Sequence, residues 1–423
     1  MTGVATSYAA VDLAEIDLLD HDTFVDGVPY GWFDTLRRRD PVHWHADGAG
    51  SGFWAVTSHQ AVLSVSRDWE TYSSEVGASA LEDLDAEALD ARRSMIDTDP
   101  PLHTELRRLV APPFRPRSVQ SFEGLVREVA HRVAREALAE RSFDLVERIA
   151  VAVPIKVLCR LLGVPESDEQ LMVRLGDEMI ANTDPDLTTV LLDGPESERY
   201  RLLPFRNPAA LEMYDYSRHL AQARRRTRRD DLMSALVYGT VGGRPLAQRE
   251  IDAMFLLLVV AGNETTRQVI ALSVQALLEH REQISVLAHA DGEGWRQAVD
   301  ELLRWTTPLH HFRRTATRST SLGGRRIASG DKVVVWYTAA NRDDTVFEDP
   351  YRLDLRRWPN PHTTFGGGGS PHRCIGEHLA RLELRIVLEE LLGSLPGMEL
   401  DGTPVRIRSN FTNGLKRFPV RVR

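Results

Sequence analysis

The segment Phe365-Gly-Gly-Gly-Gly-Ser-Pro-His-Arg-Cys374-Ile-Gly376 holds the side chain best suited to bind a metal. Its four glycines, Gly366 to Gly369, let the backbone bend tightly and approach a flat ligand closely. Cys374 falls just before an apolar-periodic stretch that predicts a helix from near His378. A helix N-terminus favours negative charge and lowers a thiol pKa, and its N–H groups can donate to sulfur. Those are the conditions for a stable thiolate facing a metal. Two plainer readings compete. Most free cysteines are small buried hydrophobes, and Cys159 fits that description inside Ile155-Lys-Val-Leu-Cys-Arg-Leu-Leu162. A zinc site would take His372, Cys374 and His378, but it lacks a fourth ligand and the usual paired spacing. A single thiolate on a haem iron needs no other protein ligand on its side.

A second segment carries polar groups where they are costly. Ile251 to His280 predicts a helix of ~45 Å, apolar all round from Met254 to Ala261, hence central and buried. Ala261-Gly-Asn-Glu-Thr-Thr266 interrupts it. Glycine costs ~1 kcal/mol in a helix interior, and a buried, unpaired carboxylate costs more. Thr265 and Thr266 can bond the carbonyls of the preceding turn and bend the helix. Either the helix crosses the surface here, or a groove presents the Thr265 hydroxyl and the Glu264 carboxylate to a cavity. A threonine beside an acid suits delivery of protons to activated dioxygen.

Helical periodicity dominates the elements around these segments. Leu125–Leu138, Val151–Leu162, Ala209–Arg226, Trp295–Trp305 and His378–Leu395 read as helices. Strand signals are short, at Gly52–Val56, Thr320–Leu322 and Lys332–Tyr337. The fold class is therefore mainly α with a smaller β region. Ser73–Pro101 and Asp184–Pro208 read as long irregular regions, either lids or merely mobile. The 423 residues can bury a large core and a large cofactor. A net charge of −9 argues against nucleic acid, and the run Arg224–Arg226 with Arg228 and Arg229 reads as a solvated helix face. Two cysteines indicate no disulfide framework and fit a reducing cytoplasm. Met1–Asp20 is acidic where a signal peptide is basic, and the longest apolar stretch, Ala253–Gly262, is too short to cross a bilayer. A cytoplasmic protein without a membrane anchor is expected.

Glu301-Leu-Leu-Arg304 places an acid and a base on one helix face. The spacing alone says little, since Glu105/Arg108, Glu196/Arg199, Glu264/Arg267 and Glu293/Arg296 share it. In order along the chain come Pro100-Pro-Leu-His-Thr-Glu-Leu-Arg107, Ala261–Thr266, Glu301–Arg304, Phe347-Glu-Asp-Pro-Tyr-Arg352 and the Cys374 loop. In that order and over nearly its whole length, 1–423 as one domain, the chain resembles the bacterial cytochromes P-450.

The resemblance implies haem b buried between the long central helix and the cysteine loop, with Cys374 on the iron. Phe365, Gly368 and Gly376 would shape the haem side of that loop. His103, Arg107, Arg314 and His372 would bind the propionates, which need cationic donors. Glu301, Arg304 and Arg352 would form a buried triad bracing the core. Phe365 lies nine residues before Cys374 where the family places it seven before, so its packing against the loop is open.

The implied reaction is R–H + O2 + two electrons + two protons giving R–OH + water, with Thr265 and Glu264 as the catalytic pair. Electrons would come from NAD(P)H through a ferredoxin reductase and a ferredoxin, docking near Arg108, Arg115, Arg117, Arg373 and Arg381. The rival reading is a haem-thiolate sensor or binding protein without turnover. A monomer is expected. Ser73–Ile96, Asp184–Leu211, Leu309–Phe312 and Phe411–Leu415 would line the pocket. Their residues Leu81, Met95, Ile96, Leu187, Leu191, Leu192, Phe312, Phe411 and Leu415 suit an apolar terpenoid, steroid or branched lipid, with a polyketide or other secondary metabolite open.

Overall fold

The β-branched run Val333-Val-Val335 sits at the centre of a five-stranded sheet. Its strand, Lys332–Trp336, pairs parallel with Phe53–Val56 and antiparallel with His311–Ala316; Val42–His45 and Tyr72–Ser73 form the edges. Every residue of the central strand is buried, as expected when both sheet faces are covered. Alternate side chains point to opposite faces. Val333 and Val335 pack with Val42, Val62 and Val65, while Val334 and Trp336 pack with Phe33, Leu36 and Phe53. One strand thus feeds two apolar clusters, and each fully buried side chain contributes about 1.5–3 kcal/mol.

The computed structural model describes residues 8–48, 50–79 and 81–423. Residues 1–7 of the acidic N-terminal stretch, and Ala80 within Ser73–Pro101, lie outside the described residues. The chain divides into two compact units. The first comprises Met1–Leu84, Leu272–Cys374 and Arg406–Gly414, and contains that sheet. The second comprises Asp85–Ala271, Ile375–Val405 and Leu415–Arg423. It is mainly helical, with a three-stranded sheet of Met398–Leu400, Pro419–Val422 and Ser142–Asp144.

The predicted helices are present with shifted ends: Glu123–Ala139, Ala152–Leu162, Ala209–Arg226, Gln248–Glu279, Gly292–Thr306 and Glu377–Leu391. Gln248–Glu279 is the one described helix long and apolar enough to cross a membrane, but 78% of its most apolar window is buried inside the protein. It is a core helix. Gly262 has a packing reason, since a Cβ there would lie 2.9 Å from Leu158 of the Ala152–Leu162 helix.

Two expectations are corrected. Ser73–Pro101 is not wholly irregular: it holds the helix Ala86–Arg92, capped by Asp85, which accepts the Ala88 amide at 2.8 Å. The basic run is not wholly solvated either. Arg224 is buried, donating to Asp231 at 2.5 Å and to the Gly163 carbonyl at 2.6 Å, while Arg225, Arg226, Arg228 and Arg229 are exposed.

Candidate active site

Cys374 is exposed, whereas Cys159 is buried and its thiol is pushed up to about 12 by that burial. The two thiols are thus in opposite surroundings. Glycine turns close the Cys374 loop. Gly366, Gly367 and Gly369 have φ of 87°, 77° and 88°, a region other residues rarely adopt. The Gly366 amide bonds the Thr363 carbonyl at 2.8 Å, and the Cys374 amide bonds the Phe365 carbonyl at 2.9 Å. These turns keep Phe365 in direct backbone contact with Cys374. Arg67 donates to the Gly368 carbonyl at 2.6 Å. Gly376 is the N-cap of the Glu377–Leu391 helix.

A buried network holds the base of this loop. Arg304 meets Glu301 through two bonds of 2.7 and 2.8 Å, and both side chains are fully buried. It also donates to the Asn341 carbonyl at 2.8 Å. The Asn341 side chain accepts the Thr363 amide at 2.7 Å and donates to Thr364 at 3.0 Å. The pair thereby fixes the strand of chain entering the glycine run. Burial pushes the Glu301 carboxyl up, but Arg304, Arg357 and the Asp354 amide hold it below its usual value. The expected third member is corrected here. Arg352 is 64% exposed and lies 3.9 Å from Asp354. Arg357 takes the place instead, 3.2 Å from Glu301 and 11% exposed, with Asn360 donating to Glu301 at 3.0 Å.

The long helix is buried on both sides of the Glu-Thr step but opens at it. Ala261 is exposed, and Gly262 and Thr265 are partly so, among neighbours that are almost all buried. A local groove in a buried helix fits this pattern; a helix crossing the surface would show several exposed turns. The Thr265 hydroxyl donates to the Ala261 carbonyl at 2.9 Å, which leaves its oxygen as an acceptor toward the groove.

Glu264 is buried and held by two side chains. It pairs with Arg267, accepts from Gln268 at 2.8 Å, and Gln268 in turn receives the Leu415 amide at 2.7 Å. Arg267 also meets Asp177 at 2.9 Å. Burial, with the nearby Glu264 charge, raises Asp177 to about 6 against the pull of Arg267. A cavity of about 480 Å³, open on one side, is lined by Asp177, Arg267, Arg132, Glu136, Lys156 and Lys416. Solvent thus has a polar approach to the Asp177–Arg267–Glu264 chain. Sequence reasoning missed Asp177 and Arg267. The signal was the Glu264/Arg267 spacing on a helix read as buried.

The remaining expected site residues are distributed between the units. His103 and Arg107 lie one turn apart on the Leu102–Val110 helix of the second unit, His103 buried and Arg107 partly so. Arg314, on the strand His311–Ala316 of the first unit, is buried and donates to the Arg313 carbonyl at 2.7 Å. His372, also in the first unit, has its amide on the Ser370 hydroxyl at 3.2 Å.

A mainly helical chain with an accessible cysteine on a glycine-rich loop and a Glu-Thr step in its central helix has the plan of a haem-thiolate oxidoreductase. Comparison with known proteins makes this particular. A family model described as cytochrome P-450 matches residues 295–396. The chain is 38% identical to a methyl-branched lipid omega-hydroxylase of Mycobacterium tuberculosis, over 97% of this chain and 95% of that one. It is 32% identical to a steroid C26-monooxygenase of Rhodococcus jostii, over 99% and 87%. A solved cytochrome P-450 of Mycobacterium marinum, in complex with pseudoionone, matches with a TM-score of 0.87 and 36% identity over 99% of this chain and 100% of that one. The chain belongs to the cytochrome P-450 family. It is an oxidoreductase of the monooxygenase type and has the fold of that family, which uses haem and dioxygen to hydroxylate.

Proposed function

We propose that residues 1–423 act as one domain, a cytoplasmic monomer that inserts one oxygen atom of O2 into an unactivated C–H bond of an apolar lipid, terpenoid or steroid. NAD(P)H supplies the electrons through ferredoxin reductase and ferredoxin. Bound haem supplies binding and activation of dioxygen. Cys374 would hold its iron, supported by the exposure of this thiol and its place ahead of a helix. His103, Arg107, Arg314 and His372 would hold the propionates, while Phe365, Gly368 and Gly376 shape the loop.

The observation that carries the reading is the break in burial at Ala261–Thr265, with a tethered carboxylate beside it. The Thr265 hydroxyl spends its proton on Ala261, so Oγ1 orients a proton donor by accepting from it. Glu264 is the carboxylate able to pass on a proton, and Arg267 and Asp177 position it. The experiment is a comparison of product formed with reductant consumed. Thr265→Ala should bind haem and substrate and still consume electrons, but release peroxide, so that product per electron pair falls by about 10²-fold, the lower end of a general acid–base contribution. Cys374→His should lose the red-shifted band of the reduced carbon monoxide complex, and Cys159→Ser should keep it. An unchanged product ratio would reject the proton role. Electron consumption that never responds to a substrate would favour a sensor.

A further inference from the structure

A cavity of about 340 Å³, open on one side, lies wholly within the first unit. Its lining holds two guanidinium groups, Arg342 and Arg406, and one carboxylate, Glu279, which is exposed and accepts from the Gln275 side chain at 2.9 Å. These side chains sum to one positive charge. Neither arginine forms an ion pair among the described residues. Arg342 is 2% exposed. It donates to the carbonyls of Arg304 at 3.0 Å, Asn341 at 3.5 Å and Trp305 at 2.8 Å. Its guanidinium also lies over the rings of Trp305 and Tyr30, 4.6 and 5.0 Å from their centroids. Arg406 donates to the Asn413 side chain. The Nε–H of each arginine is buried and meets no acceptor among the described residues.

Carbonyls and aromatic faces solvate a cation but carry no net charge. Burial therefore prevails, and it lowers the pKa of both guanidinium groups. Arg267 shows the alternative: against its burial, Glu264 and Asp177 raise its pKa. Capping the end of the Gly292–Thr306 helix accounts for the carbonyl bonds of Arg342. It does not account for a second unpaired arginine in the same cavity, nor for two idle Nε–H groups. Tyr30 links the two, since its phenol interacts with both guanidinium groups and its hydroxyl has no hydrogen-bond partner among the described residues.

We infer that this cavity binds the carboxylate of a small organic acid, with the Nε–H groups of Arg342 and Arg406 and the Tyr30 hydroxyl as donors. The volume lies near the lower end of ligand sites, about 300 Å³, so the acid is compact. Val28, Leu272 and Ala276 supply an apolar wall for its body. One surplus positive charge matches a monoanion, whereas a phosphate dianion would leave the site negative. None of the residues proposed to hold haem or to carry protons lines the cavity.

The test is isothermal titration of the haem-loaded enzyme with benzoate, and with benzamide as its neutral isostere. Benzoate should bind about tenfold more tightly, the scale of hydrogen bonds made by charged groups. Sodium chloride should weaken it. Arg342 also caps a helix, so Arg406→Gln carries the test: in that variant the preference for benzoate should fall toward one. Tyr30→Phe should weaken benzoate about threefold, as loss of a neutral donor does. Melting temperature should rise with benzoate in the wild type and stay level in Arg406→Gln. The main haem absorption band should not move. Absence of benzoate binding in the millimolar range, equal affinity for acid and amide, or an undiminished preference in Arg406→Gln would overturn the site. Tighter binding of inorganic phosphate would overturn the organic-acid class. A haem band that shifts along the benzoate titration would put the acid in the haem pocket and refute the inference.

Discussion

Glu301 attracts two guanidinium groups, the expected Arg304 and, in place of the expected Arg352, Arg357. Arg352 and Arg357 are five residues apart, yet only Arg357 reaches the buried carboxylate. Arg357→Ala should lower stability by about 1–3 kcal/mol, because a buried acceptor loses a charged partner. Arg352→Ala should stay within about 0.5 kcal/mol of wild type, as exposed substitutions do. Urea unfolding of haem-loaded protein measures both, and equal losses would contradict the assignment. The Glu301 pKa is lower in the folded than in the unfolded chain. Its contribution is thus present above the unfolded carboxyl value and is lost as pH falls through the folded one. The Arg357 effect should therefore shrink in acid. Sequence spacing could not separate these residues. Glu293/Arg296 and Glu196/Arg199 share the Glu301/Arg304 spacing and are exposed surface pairs, while Glu264/Arg267 is as buried as Glu301/Arg304. Burial decides, and burial belongs to the tertiary fold.

At the scale of elements, the long helix was the most legible part of the chain. Its apolar stretch and polar interruption could both be read directly, and both have structural counterparts. The strand His311-Phe-Arg-Arg-Thr-Ala316 was not legible, because Arg313 and Arg314 are buried and break the apolar alternation a strand signal needs. The Glu169–Ile180 helix went unread too, and it brings Asp177 to Arg267. That contact yields a prediction. A carboxyl with a pKa near 6 on a solvent-open cavity can take up and release protons close to neutrality. It is protonated below about 6 and ionised above, so coupling of electrons to product should decline as pH rises through that value. Asp177→Asn keeps a hydrogen-bond acceptor for Arg267 but cannot titrate. Its product ratio should be about tenfold lower at pH 6 and nearly independent of pH. A variant profile that follows the wild type would remove Asp177 from the proton route and leave it as a brace for Arg267.

For the whole molecule, net charge and local charge point in different directions. The chain carries a net charge of −9, yet Arg108, Arg115 and Arg117 are exposed within one short stretch of the second unit, with no ion pair of their side chains among the described residues. Evenly spread charge would surround such arginines with acids, as it does at Arg127, where Glu123 and Glu389 lie at 3.1 and 2.9 Å. Unmatched cations on an acidic protein form a local positive field, and such fields steer an acidic partner at low ionic strength. A small acidic ferredoxin has that chemistry. Arg115→Glu combined with Arg117→Glu should therefore lower the rate of ferredoxin-supported turnover by about tenfold at 10–20 mM salt. The loss should diminish toward 0.3 M salt, where the screening length falls below ~10 Å. Turnover driven by added peroxide requires no docking and should be unchanged, because neither residue belongs to the proposed haem or substrate sites. A loss that is equal with peroxide, or that persists at high salt, would place the defect in the folded core and leave the patch without a role in electron delivery.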